Sequence, residues 1–498
     1  MWIAIGYGAY ALLAVGLVLL LLMSGARPGK MIAWLMVLLL VPVLGMLLYL
    51  MIGLNRRELH VLRGKRGGPH VDYLPEPLRG EAAGVGGEAV ADAGLTAPER
   101  AILGEAAAAL APEATGHPHL ARLIAGNSGF AAQGGNRVEL LRDGPATRAA
   151  LRAAIRSARA YVHVEYYILE LGEWLDELLA DLAERRRAGV EVRVVYDGLG
   201  SLYALRRLRA RLDELDLAHA VFLPVKVGRV AATLNYRNHR KIVVVDGEIA
   251  FTGGINVSDK YHAAADELGV WRDLHLRVEG PAVRDLHAVF AHDWQRAAQD
   301  GALAHPRYFP RVRPRGPSAV QVVAGDPDTD FAATRQAYFA LVTRARERVR
   351  AINSYVVPDL ALLEAFRTAA LGGVDVRLLV PAKSDSAVVK WAVRANFEDL
   401  LEAGVRIYLY PAAFVHAKAV TADGAVASVG TANLDVRSFE QNYEVNAVVY
   451  DAALAADVDA YFDELAADSA ELDYETFLTR PRGERLREGL ARLASPML

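Results

Sequence analysis

Residues 238–247 read N-H-R-K-I-V-V-V-D-G, and residues 416–424 read H-A-K-A-V-T-A-D-G. Reading on from each gives one template: His, Lys at +2, Asp at +7, Gly at +14 and Asn at +17. The first copy is His239, Lys241, Asp246, Gly253 and Asn256. The second is His416, Lys418, Asp423, Gly430 and Asn433. Composition alone would produce one such copy with a probability on the order of 10⁻⁵, so two copies mark a duplicated unit.

The residues after each histidine, K-I-V-V-V and K-A-V-T, are strand formers. In a strand, positions i and i+2 face the same side, so each His points with its Lys. The Asp has the wrong parity for that face and precedes Gly, a hairpin-turn signal after an apolar run. Asp246 and Asp423 therefore carry two readings, a turn or supporting role and direct chemistry. The following strand ends in G-G-I-N or G-T-A-N, which returns an Asn beside the His–Lys pair.

The flanking sequence repeats as well. Ala160 to Ile168 reads as a strand, Leu175 to Ala188 as an amphipathic helix, and G-V-E-V-R-V-V-Y-D-G, 189–198, as a buried strand. The second half offers a strand at Val349 to Val357, a helix at Leu360 to Leu371, and G-V-D-V-R-L-L-V-P-A, 373–382. Strands alternating with helices predict an α/β fold made of two fused copies. The run H-P-R-Y-F-P-R-V-R-P-R-G-P-S, 305–318, separates them as a linker, because its four prolines forbid regular structure. The expected domains are 119–304 and 319–498.

A His–Lys–Asn set is suited to phosphate. Lys supplies charge, Asn supplies amide donors, and His serves as nucleophile or acid–base catalyst. Two sets across a pseudo-twofold place one His on each side of a single phosphorus, the arrangement that in-line transfer through a covalent intermediate requires. Each His also needs an orienting carboxylate. Glu444 opens the strand E-V-N-A-V-V, and Asp273 holds the matching position before L-H-L-R-V. Glu267, as far from His239 as Glu444 is from His416, is the lesser candidate. Glu165 is expected to line the pocket, with its counterpart near Ser354. His163, His262 and His275 have no repeated partner and read as structural or surface residues.

Composition narrows the function. With no cysteine among 498 residues, disulfides, thiol catalysis and zinc–thiolate sites are excluded. A net charge of −3 advertises no field for nucleic acid. Only eight of the 56 basic residues are Lys, and two of those sit in the repeated motif, so a compact ammonium is wanted there.

The hydrophobic residues concentrate at the N-terminus. Trp2 to Met23 and Met31 to Leu54 are each long enough to cross a hydrocarbon core of about 30 Å as a helix. They predict a transmembrane hairpin over residues 1–54, followed by a tether over 55–118 with one helical stretch near Ala97 to Leu110. Arg27 and Lys30 lie in the turn, and Arg56, Arg57, Arg63, Lys65 and Arg66 follow the second span. The positive-inside rule then puts the N-terminus and the catalytic halves in the cytoplasm.

H-x-K-x₄-D-x₆-G-x-x-N twice in one chain resembles the phospholipase D superfamily. The N-terminal hairpin, G-N-R-V-E-L-L-R-D-G at 135–144, V-E-Y-Y-I at 164–168, Y-D-G-L-G-S at 196–201, W-R-D-L-H-L-R-V-E-G-P-A-V at 271–283 and G-T-A-N-L-D-V-R-S-F-E-Q-N-Y-E-V-N at 430–446 resemble bacterial cardiolipin synthases. The likeness covers nearly the whole chain and is weakest over 67–118. It implies two phospholipase D-like α/β domains and transfer of a phosphatidyl group between two phosphatidylglycerols, without metal or other cofactor. His239 is then the expected nucleophile and His416 the acid and later the base, with Lys241, Lys418, Asn256 and Asn433 on the phosphate oxygens. Partners would be phosphatidylglycerol and membrane lipids, with no nucleic acid. Hydrolysis, or transfer to another alcohol, would use the same residues.

Overall fold

The computed structural model describes residues 2–23, 28–49, 73, 110–225, 235–264, 267–329 and 331–495. The basic cluster at 56–66 and the helical stretch expected at 97–109 lie outside the described residues.

The strands of both halves join in one continuous sheet. In the first half the order runs Gln133–Arg142, Leu274–Glu279, Ile249–Gly253, Ile242–Val245, Tyr161–Tyr166, Glu191–Asp197, Ala218–Phe222. In the second it runs Ser318–Gly325, Asn442–Tyr450, Val426–Gly430, Lys418–Ala422, Arg348–Asn353, Asp375–Pro381, Arg406–Tyr410. The orders are the same, and antiparallel pairing of Gln133–Arg142 with Ser318–Gly325 welds the halves together. The last three strands of each order pair in parallel and carry crossover helices.

Burial explains the composition of these strands. Strand Ile242–Val245 is buried along its whole length, hence the unbroken I-V-V-V. Helices Glu173–Arg187 and Leu205–Glu214 seal one face of the first half, and Ala333–Arg344 and Leu360–Leu371 seal the same face of the second. Helices Val283–Ala298 and Ala452–Ala467 fill a central core shared by both halves.

The expected strands and helices are present with ends within two residues, except that the strand expected over Val349–Val357 is broken: Arg348–Asn353 belongs to the main sheet, and Val356–Val357 pairs separately with Leu434–Asp435. Three placements are finer than the sequence reading. Helix Pro118–Ser128, at the expected start of the first domain, packs on the second half: the Gln321 amide donates to the carbonyls of Ala121 and Phe130 at 3.0 and 2.8 Å. The linker is fastened down. Its Pro306–Tyr308 turn is held by the Tyr161 hydroxyl, which donates to the Tyr308 carbonyl at 2.6 Å. The second hydrophobic run is divided into helices Pro28–Leu40 and Pro42–Leu48, broken at Val41, because Pro42 lacks an N–H and its ring displaces the preceding turn. The first run is the 22-residue helix Trp2–Met23. Leu17, Leu21, Leu38, Met46 and Tyr49 pack these helices together. Side chains are described only from Leu12 onward, and among such residues no helix is long and apolar enough to cross a membrane.

Candidate active site

The two motifs converge where the halves meet, and they do so by exchanging short pieces of backbone. Arg237–Asn238 pairs in parallel with Asn442 and Tyr443, and the His239 N–H donates to the Tyr443 carbonyl at 2.9 Å. Symmetrically, Arg272 bridges Val415, and the His416 N–H donates to the Arg272 carbonyl at 2.7 Å. Each histidine is thus laid against the residue before the other half's carboxylate.

The consequence is a crossed pair of dyads. His239 Nδ1 lies 2.9 Å from Glu444 Oε2, and His416 Nδ1 lies 2.8 Å from Asp273 Oδ2. Glu444 and Asp273 are the carboxylates singled out in the sequence, and each contacts the histidine of the opposite half. Glu267 is exposed on a loop and plays no part. With Nδ1 committed to a carboxylate, Nε2 of each ring is left for the reacting atom. Both rings are nearly enclosed, at 8% exposure for His239 and 5% for His416.

The lysines lie beside their histidines, as the strand parity predicts. Lys241 Nζ donates to the His239 carbonyl at 2.6 Å, and Lys418 Nζ donates to the His416 carbonyl and, at 3.2 Å, to the Ser354 hydroxyl. Burial pushes Lys241 down to about 7 and Lys418 down to about 8. Burial also holds His239 down to about 4, against the pull of Glu444, and holds His416 well below its usual value, helped by Lys418 and Lys241. An anionic phosphodiester among these groups would favour the charged forms of the two lysines and of the histidine that acts as acid, while the low value of His239 keeps its ring neutral and its Nε2 lone pair free.

The dyads differ in chemistry. Burial works to raise the Glu444 carboxyl, but His239, Lys241 and the Thr431 hydroxyl outweigh it and leave it below the usual range. Thr431 donates to Glu444 at 2.5 Å and the Asn442 amide at 3.1 Å. Asp273, which accepts from the Leu274 N–H at 2.7 Å, is pushed up to about 6 by burial. At the position equivalent to Thr431 the first half has Gly254, where any Cβ would run into the Asp273 carboxylate. That explains why one motif reads G-G-I-N and the other G-T-A-N. The shared glycine before it, Gly253 or Gly430, admits the backbone of His275 or Asn446 too closely for a side chain.

Asn256 accepts from the Ile168 N–H at 3.3 Å and meets the Tyr261 hydroxyl, which lies 3.0 Å from His416 Nδ1. Asn433 presents a buried side-chain oxygen with no hydrogen-bond partner. Glu165 sits behind the site and accepts from the Asn238 amide next to His239. Strand register makes its counterpart Ile352 and not Ser354: Glu165 pairs with Ile242 and Ile352 with the equivalent Ala419. Ser354 instead matches Tyr167, whose ring stands edge-on to His239 and 5.6 Å from Lys241 Nζ.

Asp246 and Asp423 do not enter the site. Each lies at the far end of its strand, in a turn where Asp and Gly both take positive φ, 52° and 68° in one copy and 53° and 62° in the other. The Asp246 carboxylate accepts from the N–H groups of Arg159, Ala160 and Tyr161 at 2.7–2.9 Å. Asp423 does the same for Arg346, Glu347 and Arg348. Of the two readings of these residues, the turn and support reading matches the structure. A catalytic role for them is corrected.

His163 is buried against His287 at 2.8 Å, and His275 is buried next to the site. His262 is largely covered near Glu173 and Asp259. Sequence reasoning passed over Arg240, between the two motif residues. It is fully buried, and its guanidinium donates to Asp293 at 2.6 Å, to the Tyr73 hydroxyl and Gly325 carbonyl at 2.9 Å, and to the Glu444 carbonyl at 3.1 Å. An Arg in place of the Ala at the second motif's central position was the available signal.

Residues 151–294 and 338–466 match the family described as "Cardiolipin synthase, PLD-like domain". The chain belongs to the cardiolipin synthase family. Residues 11–53 match a second family, described as "Phospholipase_D-nuclease N-terminal". The major cardiolipin synthase of Bacillus subtilis is 35% identical to this chain over 473 residues, covering 94% of this chain and 93% of that protein. A cardiolipin synthase of Geobacillus kaustophilus is 35% identical over 486 residues, covering 96% and 91%. The crystal structure of a phosphatidylserine synthase of Haemophilus influenzae shares the fold. Its TM-score is 0.56 at 14% identity, covering 72% of this chain and 95% of that one.

Proposed function

We propose that this member of the cardiolipin synthase family transfers a phosphatidyl group from one phosphatidylglycerol to another through a phosphohistidine. The crossed dyads carry the reading, since they present two Nε2 atoms with opposite tasks. In the first step His239 Nε2 attacks phosphorus, the P–N bond forms, and the P–O bond to the headgroup glycerol breaks. His416, charged once the anionic diester is bound and steadied by Asp273, gives its proton to the departing glycerol oxygen. In the second step neutral His416 takes the proton of a glycerol hydroxyl on a second phosphatidylglycerol. That oxygen attacks phosphorus and the P–N bond breaks, giving cardiolipin and regenerating both histidines.

His239 suits the nucleophile because its partner Glu444 is held ionised, which stabilises the ring as positive charge develops on it. Lys241 and Lys418 would neutralise, and Asn256 and Asn433 would hydrogen-bond, the non-bridging oxygens, whose charge grows in the transition state. The N-terminal hydrophobic helices are read as a membrane hairpin with the catalytic halves on the cytoplasmic side. Resistance of those halves to protease added outside intact spheroplasts checks that placement.

The deciding experiment gives purified protein phosphatidylglycerol alone and resolves the products by mass. Cardiolipin plus one glycerol per turnover is expected. Phosphatidic acid plus glycerol would instead make water the acceptor. Acid-quenched protein should carry the phosphatidyl group on His239, and the His239→Ala variant should carry none.

A further inference from the structure

Both halves raise a loop at the end of the sheet where the histidines lie, and both loops expose apolar and basic side chains together. In the first half the loop follows strand Glu191–Asp197. Asp197 accepts from the Asn238 N–H at 2.9 Å, and Ser201 donates to the carbonyl of Tyr167, the residue against His239. Immediately beyond, Leu202 is exposed and Tyr203 is fully so. Helix Leu205–Glu214 then buries Leu208 and Leu212 and turns Arg206 and Arg207 to solvent. In the second half the equivalent loop follows strand Asp375–Pro381. Ser354, the partner of Lys418, lines a cavity there with Ser384 and Lys390. Helix Ala387–Arg394 exposes Val388 and Lys390 from that rim.

The distribution of lysine points the same way. Lys30 and Lys65 flank the second hydrophobic run, and Lys241 and Lys418 are in the motifs. Lys260 lies 5.4 Å from the Trp271 ring, which packs on His416. Lys383 and Lys390 are on the second rim, and Lys226 follows strand Ala218–Phe222 by four residues in sequence. In a chain that otherwise uses Arg, the described lysines Lys241, Lys418, Lys260, Lys383 and Lys390 lie in the motifs, beside the Trp271 ring that packs on His416, or on the second rim.

We propose that these two rims are a bilayer-docking surface: Leu202, Tyr203 and Val388 enter the headgroup region of an anionic phospholipid membrane while Arg206, Arg207 and Lys390 meet its phosphates. This rests on the lipid-substrate reading of the site and deepens it. Exposed apolar side chains ringed by cations are the composition of an interfacial contact, and basic residues at an anionic surface contribute about 1 kcal/mol each. One rim lies beside Tyr167 and His239 and the other beside Ser354 and Lys418, so docking sets the site mouth against the headgroups.

The absence of cysteine makes the test direct, because one introduced thiol is labelled uniquely. Tyr203→Cys, Val388→Cys and Leu371→Cys are prepared in the full chain, labelled with a nitrobenzoxadiazole dye and reconstituted in phosphatidylglycerol–phosphatidylcholine bilayers. Leu371 is 71% exposed at the opposite end of helix Leu360–Leu371 and serves as the reference. The labels at 203 and 388 should shift to the blue and be quenched several-fold more by bilayer nitroxides than the label at 371. Equal response at all three positions overturns the proposal. So does a blue shift in detergent that grows with protein concentration, which would mark a contact between copies of this chain. The labels report depth without turnover, so a failure of the catalytic reading is seen separately in the product assay. Tyr203→Ser with Val388→Ser should lower turnover on vesicles about tenfold and leave turnover on detergent-dispersed short-chain phosphatidylglycerol unchanged.

Discussion

His239 is held by the carboxylate of Glu444, 205 residues further along the chain and in the other half of the molecule. The mirror relationship joins His416 to Asp273. Neither half contains a complete dyad, so the candidate site exists only at the seam between the halves.

Glu444→Gln keeps the shape of the dyad and removes its charge. Turnover should fall by roughly 10²–10⁴, as when the carboxylate behind other catalytic histidines is neutralised. Thr431→Ala removes one hydrogen bond to that charge, worth about 1.5 kcal/mol, and should lower turnover about tenfold. Steady-state rates with unchanged circular dichroism test both. Full activity in Glu444→Gln would sink the dyad.

Burial lowers both lysines, and the sign of the pH effect follows. Each is cationic below its pKa, so charge is lost as pH rises through about 7 for Lys241 and about 8 for Lys418. An anionic phosphodiester favours the charged forms, so substrate binding weakens as those protons leave. The ratio kcat/KM for phosphatidylglycerol should decline above about pH 7–8, mainly through KM. Lys241→Arg should move that decline to higher pH, since guanidinium does not lose its proton there. A profile flat from pH 6 to 9 in the parent protein contradicts this account.

Asp246→Asn should act on stability alone. The carboxylate serves three backbone N–H groups that open strand Tyr161–Tyr166, and weakening these bonds costs about 1–3 kcal/mol. Thermal unfolding should shift down while turnover per folded molecule stays near the parent value. Loss of turnover without loss of stability would return Asp246 to the chemistry.

Arg240 joins four segments in a fully buried cluster. Arg240→Met leaves Asp293 without its partner and should destabilise by about 3–5 kcal/mol. Tyr73→Phe keeps the ring stacked on Phe130 and removes only the hydroxyl, at about 1–3 kcal/mol. Denaturant midpoints for the two variants measure the difference, and equal midpoints would show that the ion pair adds nothing.

Much of this site was legible without coordinates because its signals are local. The period of two in a strand places Lys241 and Lys418 beside their histidines, and D-G marks the hairpin that folds Asn256 and Asn433 back. The duplication also reveals that the two halves share one order of elements along the chain. The assignment of Asp246 stayed open in sequence because a carboxylate in a turn and a carboxylate in a site look alike until the backbone N–H groups that reach it are seen.

What the chain alone determined, then, is the inventory: two phosphate-directed motifs, their duplicated α/β frame and the carboxylates at matched positions. The tertiary structure decided the pairing. Which carboxylate meets which histidine depends on two short parallel bridges across the seam, Arg237–Asn238 with Asn442–Tyr443 and Arg272 with Val415, and no periodicity encodes contacts between segments so far apart in the chain. The same holds for Arg240, whose neighbours come from both halves and from Tyr73, and for Glu165, whose true counterpart is fixed by strand register. Patterns along a strand follow from its own geometry, whereas contacts across a pseudo-twofold follow from how the two halves are joined along their shared sheet.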